Sequence, residues 1–308
     1  MAISTLREFR PTQPTALTLG TFDGVHRGHR ALLERTHMWA QEHRALSVAF
    51  VFTRPPTNYM GAPKPLLMPV AKKLDRISQI VEHVLAVEFP EVGVMAAEEF
   101  VEEILVGQLR MAHIVIGPDA RFGRGRGGDR ALLERLGRTL GFSVEVVPSI
   151  TVNGKIVSST AIRESLLAGR LDEAREMLGY APTLWGTVVH GDGRGRKLGY
   201  PTANLALEKD VLVPAAGVYA VRVRVKGAQR DGVLYIGSRA TFGGSGPSIE
   251  VHLFDTEEDL YGMELEVELL KYLRVDARFE RLEDLKAQIE ADIQAARAAL
   301  ELSSQNSS

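Results

Sequence analysis

Gly20-Thr21-Phe22-Asp23-Gly24-Val25-His26-Arg27-Gly28-His29 is the stretch on which the reading of this chain turns. The apolar run Ala16-Leu17-Thr18-Leu19 leads into it, and a helical pattern from Arg30 to about Gln41 leads out. Two imidazoles therefore stand where a strand gives way to a helix, with Gly28 between them. A helix start presents unpaired backbone N–H groups and about half a positive charge, which suits phosphate. Gly28 permits close approach of a ligand to the backbone, and the histidines add donors. The stretch reads as a grip for a nucleoside triphosphate.

Outward from this turn, strand-like and helix-like segments alternate. Leu46 to Phe52 is an apolar run suited to a strand buried on both faces. Ala71 to Ala86 and Glu98 to Leu109 read as helices, His113 to Ile116 as a strand, Arg130 to Leu140 as a helix and Ser143 to Val147 as a strand. Such alternation predicts an α/β domain, a doubly wound parallel sheet with helices on both faces and its ligand beyond the strands' carboxyl ends. After Pro182 the period changes. Val221, Val223 and Val225 alternate with Arg222 and Arg224, and Met263, Leu265, Val267 and Leu269 alternate with Glu264, Glu266 and Glu268. Period-two alternation with glycine-rich turns predicts a small antiparallel β-barrel. A terminal helix follows from about Leu282 to Leu300, striped by Leu282, Leu285, Ile289 and Ile293. The expected domains are 1–182 and 183–302, with a disordered polar tail at 303–308.

The 308 residues suffice for two independent cores. The composition, 45% hydrophobic and 25% charged with a net charge of −2, is that of a globular protein without a global basic excess. There is no cysteine, which excludes disulfides, thiolate metal sites and cysteine nucleophiles. The N-terminal residues lack the apolar core of a signal peptide, and no run approaches the roughly 20 apolar residues of a bilayer span. The expectation is a cytoplasmic protein acting on small molecules, without nucleic-acid or membrane partners. Protein partners are left open.

Val157-Ser158-Ser159-Thr160-Ala161-Ile162-Arg163 precedes a further short helical pattern. Its hydroxyls can cap that helix, and Arg163 can bind phosphate through its fork of donors. Taken with the histidine stretch, this segment resembles the nucleotidylyltransferase superfamily, and more narrowly the FMN adenylyltransferase module of bacterial bifunctional riboflavin kinase/FAD synthetases. The resemblance implies that His26, His29, Ser159, Thr160 and Arg163 hold ATP phosphates during attack on the α-phosphate, His26, His29 and Arg163 being catalytic. Gly20, Phe22, Asp23 and Gly28 would shape the same ATP site. It also implies a flavin-side loop at Gly117-Pro118-Asp119-Ala120-Arg121-Phe122-Gly123, with Asp119 and Phe122 facing the flavin. Two departures stand out: Arg54-Pro55-Pro56 where the family shows Pro-His-Pro, and Ala120 where it shows phenylalanine.

In the second half, Gly191-Asp192-Gly193-Arg194-Gly195-Arg196-Lys197-Leu198-Gly199-Tyr200-Pro201-Thr202-Ala203-Asn204 is dense in glycine and base. Such a loop can fold over phosphates or simply be a surface loop. The stretch resembles the riboflavin kinase module, whose Pro-Thr-Ala-Asn motif is intact at Pro201–Asn204; Ala240 replaces a usual proline. The resemblance implies that Gly191, Gly193, Gly195, Thr202 and Asn204 bind ATP, that Thr202 and Asn204 hold Mg²⁺, and that Glu250 is the general base. Within Ser248–Leu253, alternation sets Glu250 and His252 opposite Ile249, Val251 and Leu253. The implied enzyme uses ATP and Mg²⁺ to convert riboflavin to FMN, then FMN to FAD. The alternatives are an adenylyltransferase for another phosphate, such as phosphopantetheine, and a flavin-binding or regulatory protein that keeps the kinase but has an impaired adenylyltransferase module.

Overall fold

The computed structural model describes residues 2–191, 195, 198–237, 247–256 and 258–305. Gly193, Arg194, Arg196, Lys197 and Ala240, and positions 306–308 of the expected tail, lie outside the described residues. The chain forms two compact units, Met1–Ser159 and Thr160–Ser308.

The first unit is built on a six-stranded parallel sheet: β1 (Ala2–Thr5), β2 (Thr15–Gly20), β3 (Leu46–Phe52), β4 (His83–Val87), β5 (Met111–Ile116) and β6 (Ser143–Val146), in the order β1-β4-β3-β2-β5-β6. The chain winds from β2 outward through β3 and β4, then returns to the other side of β2 for β5 and β6. That reversal makes the carboxyl end of β2 a topological switch point, where neighbouring connections leave in opposite directions and open a crevice. The turn from Gly20 to His29 lies there. Leu17, Val48, Phe50, Leu85 and Ile114 form the sheet's share of a core that also takes in Phe100, Leu105, Leu133 and Leu136.

The connecting helices are α1 (Arg27–His43), α2 (Val70–Ser78), α3 (Ala97–Glu99) and α4 (Arg130–Leu140). Two segments differ from the sequence reading. The helix expected over 71–86 ends at Ser78, and His83–Val87 is instead β4, pairing with β1 and β3. The run His-Val-Leu-Ala-Val is short, apolar and rich in valine, so it fits a strand buried on both faces as well as a buried helix, and the sheet decides. The helix expected over 98–109 is present, but after α3 it is wound as a π-helix, Phe100–Gln108. A small hairpin, β7 (Thr151–Val152) and β8 (Lys155–Ile156), precedes Ser159.

The second unit begins at Thr160, one residue into α5 (Ser159–Leu167), and continues with α6 (Leu171–Leu178). A closed antiparallel barrel follows: β9 (Thr183–Val189), β10 (Ala203–Leu207), β11 (Gly217–Val225), β12 (Ala228–Ile236), β13 (Ile249–Leu253) and β14 (Glu264–Val275), ordered β10-β13-β12-β11-β14-β9. The alternation expected at Val221–Val225 and Leu265–Leu269 is realised, with those apolar side chains buried. The last helix, α7, spans Leu282–Gln305 and so takes in positions 303–305, where the tail was expected to start. Its contact stripe lies further along than expected. Leu282 is 53% exposed, while Ile293, Ala296 and Leu300 pack on Ala220 and Phe254. Arg274 clamps this helix through two 2.8 Å bonds to Asp292.

Candidate active sites

In the sheet unit, the backbone after β2 is bent hard. Phe22 (φ 51°) and Val25 (φ 38°) join Gly24 (φ 81°) on the left-handed side. A β-branched residue there is strained, and strain of this kind clusters at ligand-binding turns. Burial and ties hold the turn in place. Phe22 and Asp23 are buried, Asp23 Oδ1 accepts from Leu67 N at 2.9 Å, and the Asp23 carbonyl accepts from Ser159 Oγ at 2.8 Å. Phe22 and Asp23 thus shape the turn from within. A Cβ on Gly28 would stand 3.3 Å from the His26 ring, so any larger residue there would press on that ring.

His26 caps α1, its Nδ1 accepting the His29 N–H at 3.3 Å. When the ring is neutral, that acceptor role puts its proton on Nε2, leaving Nε2–H to donate. The His29 ring stacks on it with centroids 3.5 Å apart and planes at 16°, and meets the Phe22 ring in a T-shaped contact at 5.3 Å. Burial, then the neighbouring His26 and Lys73, hold the His29 imidazole well below the usual histidine range. His29 Nδ1 is buried without a hydrogen-bond partner among the described residues. The pair is thus a stack of poorly hydrated donors at a helix start, suited to a highly charged anion.

Lys73, which sequence reasoning missed, lies behind this turn. It is only 1% exposed, and its Nζ donates to the carbonyls of Thr21, Phe52 and Thr53 at 2.9, 2.8 and 2.9 Å. A lysine in an amphipathic helix reads as a solvated residue, so the sequence carried no signal for it. Of the flavin-side residues, Asp119 is exposed, whereas Phe122 is buried in the core beside Phe100 and bridges to Gly128. Its ring anchors the loop that runs from Phe122 to Gly128. On either side of Arg54-Pro55, Thr53 and Tyr59 both donate to Glu88, Thr53 at 2.6 Å. Thr160 and Arg163 lie on the first turns of α5, in the second unit, and Arg163 is half-buried.

In the barrel, strand register assembles the site. Asn204 of β10 is the cross-strand partner of Glu250 of β13, which in turn faces Tyr235 of β12. Directly opposed residues project to one side of a sheet, so these three share a face. Thr202 Oγ1 donates to Glu250 Oε2 and Ser248 Oγ to Glu250 Oε1, each at 2.9 Å, which aims the carboxylate. His252 bonds the Pro201 carbonyl at 2.8 Å through Nδ1, which must carry the proton because a carbonyl only accepts. Tyr235 donates to Asp276 at 3.0 Å, and burial, that bond and the nearby carboxylates push its hydroxyl up to about 12. A Cβ on Gly191 would fall 2.1 Å from Asn204 Nδ2, and one on Gly195 would fall 2.4 Å from the Tyr200 carbonyl. The loop needs glycine at both places to lie this close to the motif. Gly193, also expected to bind ATP, is outside the described residues. A cleft of about 500 Å³ opens beside Pro201 and Thr202, lined also by Val188, Val251, Leu253 and Tyr261.

Residues 9–161 match the FAD synthetase family and residues 178–300 the riboflavin kinase family. The bifunctional riboflavin kinase/FMN adenylyltransferase of Escherichia coli K12 is 38% identical, covering 92% of this chain and 91% of its own. The namesake from Pseudomonas fluorescens is 39% identical over 91% of both chains, and that from Bacillus subtilis 35% identical over 92% and 91%. This chain belongs to the bifunctional riboflavin kinase/FMN adenylyltransferase family. It is an enzyme of FMN and FAD biosynthesis, with riboflavin, FMN and ATP as substrates. A solved structure from Streptococcus pneumoniae, described as a macrolide-efflux protein, superposes with a TM-score of 0.85 at 29% identity, covering 96% of this chain and 98% of that one. The efflux description is that protein's own. Among the described residues here, no helix is long and apolar enough to cross a membrane.

Proposed function

We propose that FAD is formed at the Gly20–His29 turn and FMN at the Thr202–Glu250 wall, with the functional border between them near 182. The observation that carries the first assignment is the capped, stacked His26–His29 pair on a strained turn at the sheet's switch point. An oxygen of the FMN phosphate attacks the α-phosphorus of ATP. A new P–O bond forms, the α–β bridging bond breaks, and pyrophosphate leaves with the electron pair. No protein nucleophile is required, only alignment and stabilisation of charge. Gly20, Gly28, His26, His29 and Ser159 receive the phosphates, Thr160 and Arg163 bind phosphate as the family resemblance implies, and the loop bearing Asp119 and Phe122 meets the flavin.

At the barrel, the ribityl hydroxyl attacks the γ-phosphorus while Glu250 takes its proton, and ADP leaves with the electrons of the β–γ bridging bond. Gly191, Gly193 and Gly195 cover the phosphates. Mg²⁺ fits the residues present. The Thr202 hydroxyl, whose proton is given to Glu250, and the Asn204 side chain offer hard oxygen donors, and a few such donors with substrate phosphates are the usual magnesium arrangement. When bound, the ion neutralises charge on the transferred phosphoryl group. A cytoplasmic location, with ATP at hand, suits this reading.

Separating the flavins formed from riboflavin and Mg·ATP tests the assignment. His29→Ala is expected to lower FAD formation on the order of 10²–10³-fold and leave FMN accumulating. Glu250→Ala is expected to stop FMN formation yet convert supplied FMN to FAD. A folded variant that lost both activities would sink the two-site assignment.

A further inference from the structure

Lys73 is a residue that the fold alone does not ask for. It stands in the first turn of α2, where the helix dipole disfavours a cation, and it is almost fully buried, where an ammonium is costly. A methionine or leucine would fill the same space. Its location explains what it does. Strands β2 and β3 pair up to Gly20 and Val51. Past that point the strands part, and the carbonyls of Thr21, Phe52 and Thr53 turn into the gap. The ammonium donates all three of its protons to them. Thr21 immediately precedes the strained Phe22–Val25 backbone, and Thr53 immediately precedes Arg54-Pro55. With no proton left for a ligand, Lys73 acts through the backbone and through its charge.

We propose that Lys73 is a positioning residue for adenylyl transfer: its ammonium locks the turn after β2 to the exit of β3 and fixes a positive charge behind the phosphate-binding histidines. The inference rests on the assignment of the Gly20–His29 turn to ATP. The charged groups that face Lys73 agree with it. Asp23 and Glu88 favour its ammonium form, while its charge helps keep His29 neutral. A fixed cation in a poorly hydrated site lowers the energy of the charge that gathers on departing pyrophosphate. Burial, opposed in part by those two carboxylates, brings Lys73 down to about 8. FAD formation is therefore expected to fall as pH rises through about 8, as the ammonium is lost.

The test uses the full chain, with FMN and Mg·ATP for FAD formation and riboflavin and Mg·ATP for FMN formation. Lys73→Met keeps the bulk and removes the charge. It is expected to lower kcat for FAD formation on the order of 10²-fold, with FMN formation within twofold. Lys73→Arg, whose guanidinium stays protonated, is expected to keep more activity and to lose the alkaline fall near 8. A Lys73→Met variant with wild-type kcat and KM overturns the proposal. Should that variant fail to fold, the pH profiles of wild type and Lys73→Arg decide: the same alkaline fall in both, or none in wild type, overturns it. If His29→Ala left FAD formation intact, the assignment of the turn itself would fail. If His29→Ala abolished it while the Lys73 variants behaved as wild type, only the role of Lys73 would fail.

Discussion

The sheet unit holds the side chains proposed for adenylyl transfer on a bent turn by backbone strain, ring stacking and buried ties. The barrel holds its own by strand register and side-chain hydrogen bonds. His26 and His29 are placed by a capped helix start and by each other, whereas Glu250 is placed by Asn204 and Tyr235 opposite it and by Thr202 and Ser248 bonded to it. The difference follows from the chemistry. Adenylyl transfer to an already ionised phosphate needs donors, and backbone at a helix start supplies them. Transfer to a hydroxyl needs a base aimed at one proton, and a rigid wall supplies that.

The contrast breaks most sharply at Thr202. Replacing it with valine removes the donor to Glu250 and one oxygen offered to the metal while preserving shape. FMN formation is expected to fall on the order of 10²-fold, with FAD formation from supplied FMN unchanged. A parallel loss of both rates would show that the two sites are not independent.

Acid should separate the units as well. Burial pushes His29, His83 and His113, all in the sheet unit, below the ordinary histidine value, His113 to about 4. His113 sits beneath Trp39 and bonds Ser143 at 2.7 Å. Between the ordinary value of about 6.5 and about 4, the unfolded chain binds the proton that the folded chain refuses. Stability is complete above the upper value and falls as pH drops, by on the order of 3 kcal/mol at most for His113. FAD formation and the sheet unit's unfolding midpoint are expected to decline together between pH 6.5 and 4.5. His113→Asn should flatten that decline in the midpoint. If the midpoint of this variant still fell as in wild type, the acid sensitivity would lie elsewhere.

Gly191→Ala sharpens the barrel's side of the comparison with a smaller effect. Its Cβ would meet the Asn204 amide at 2.1 to 2.7 Å, so the amide must swing or the loop must lift. Roughly a tenfold rise in KM for ATP in FMN formation is expected, with no change in FAD formation.

The sequence disclosed the two architectures because each repeats its signal: alternating apolar runs and helices in one half, and period-two strands in the other. It disclosed the motif residues because glycine, histidine and Pro-Thr-Ala-Asn are chemically conspicuous. What it hid depends on partners far along the chain. The segment 83–87 becomes a strand only because β1 and β3 flank it. Lys73 acquires meaning only from carbonyls at Thr21, Phe52 and Thr53. Phe122, conspicuous as an aromatic in the flavin-side loop, is buried because Phe100 and Gly128 receive it. The contact stripe of α7 starts late because the barrel meets the helix from Ile289 onward, leaving Leu282 exposed.

Ser159 offers the finest test, because the sequence left two readings of it open. As a helix cap, its oxygen would accept a backbone N–H of α5, and its loss would lower stability by about 1 kcal/mol wherever the turn after β2 points. In the structure its hydroxyl donates instead to the Asp23 carbonyl, and so ties the strained turn from outside as Lys73 ties it from beneath. Losing that bond should loosen the turn by the worth of one hydrogen bond, about 0.5–1.5 kcal/mol. Ser159→Ala is therefore expected to slow FAD formation by about two- to tenfold, because the histidines then spend less time aligned. FMN formation should not change, and Ser159→Thr should restore the rate by restoring the donor. A lower melting temperature with an unchanged rate would return Ser159 to the role of a cap, and would leave the turn to be held by Lys73 and the Leu67 bond alone.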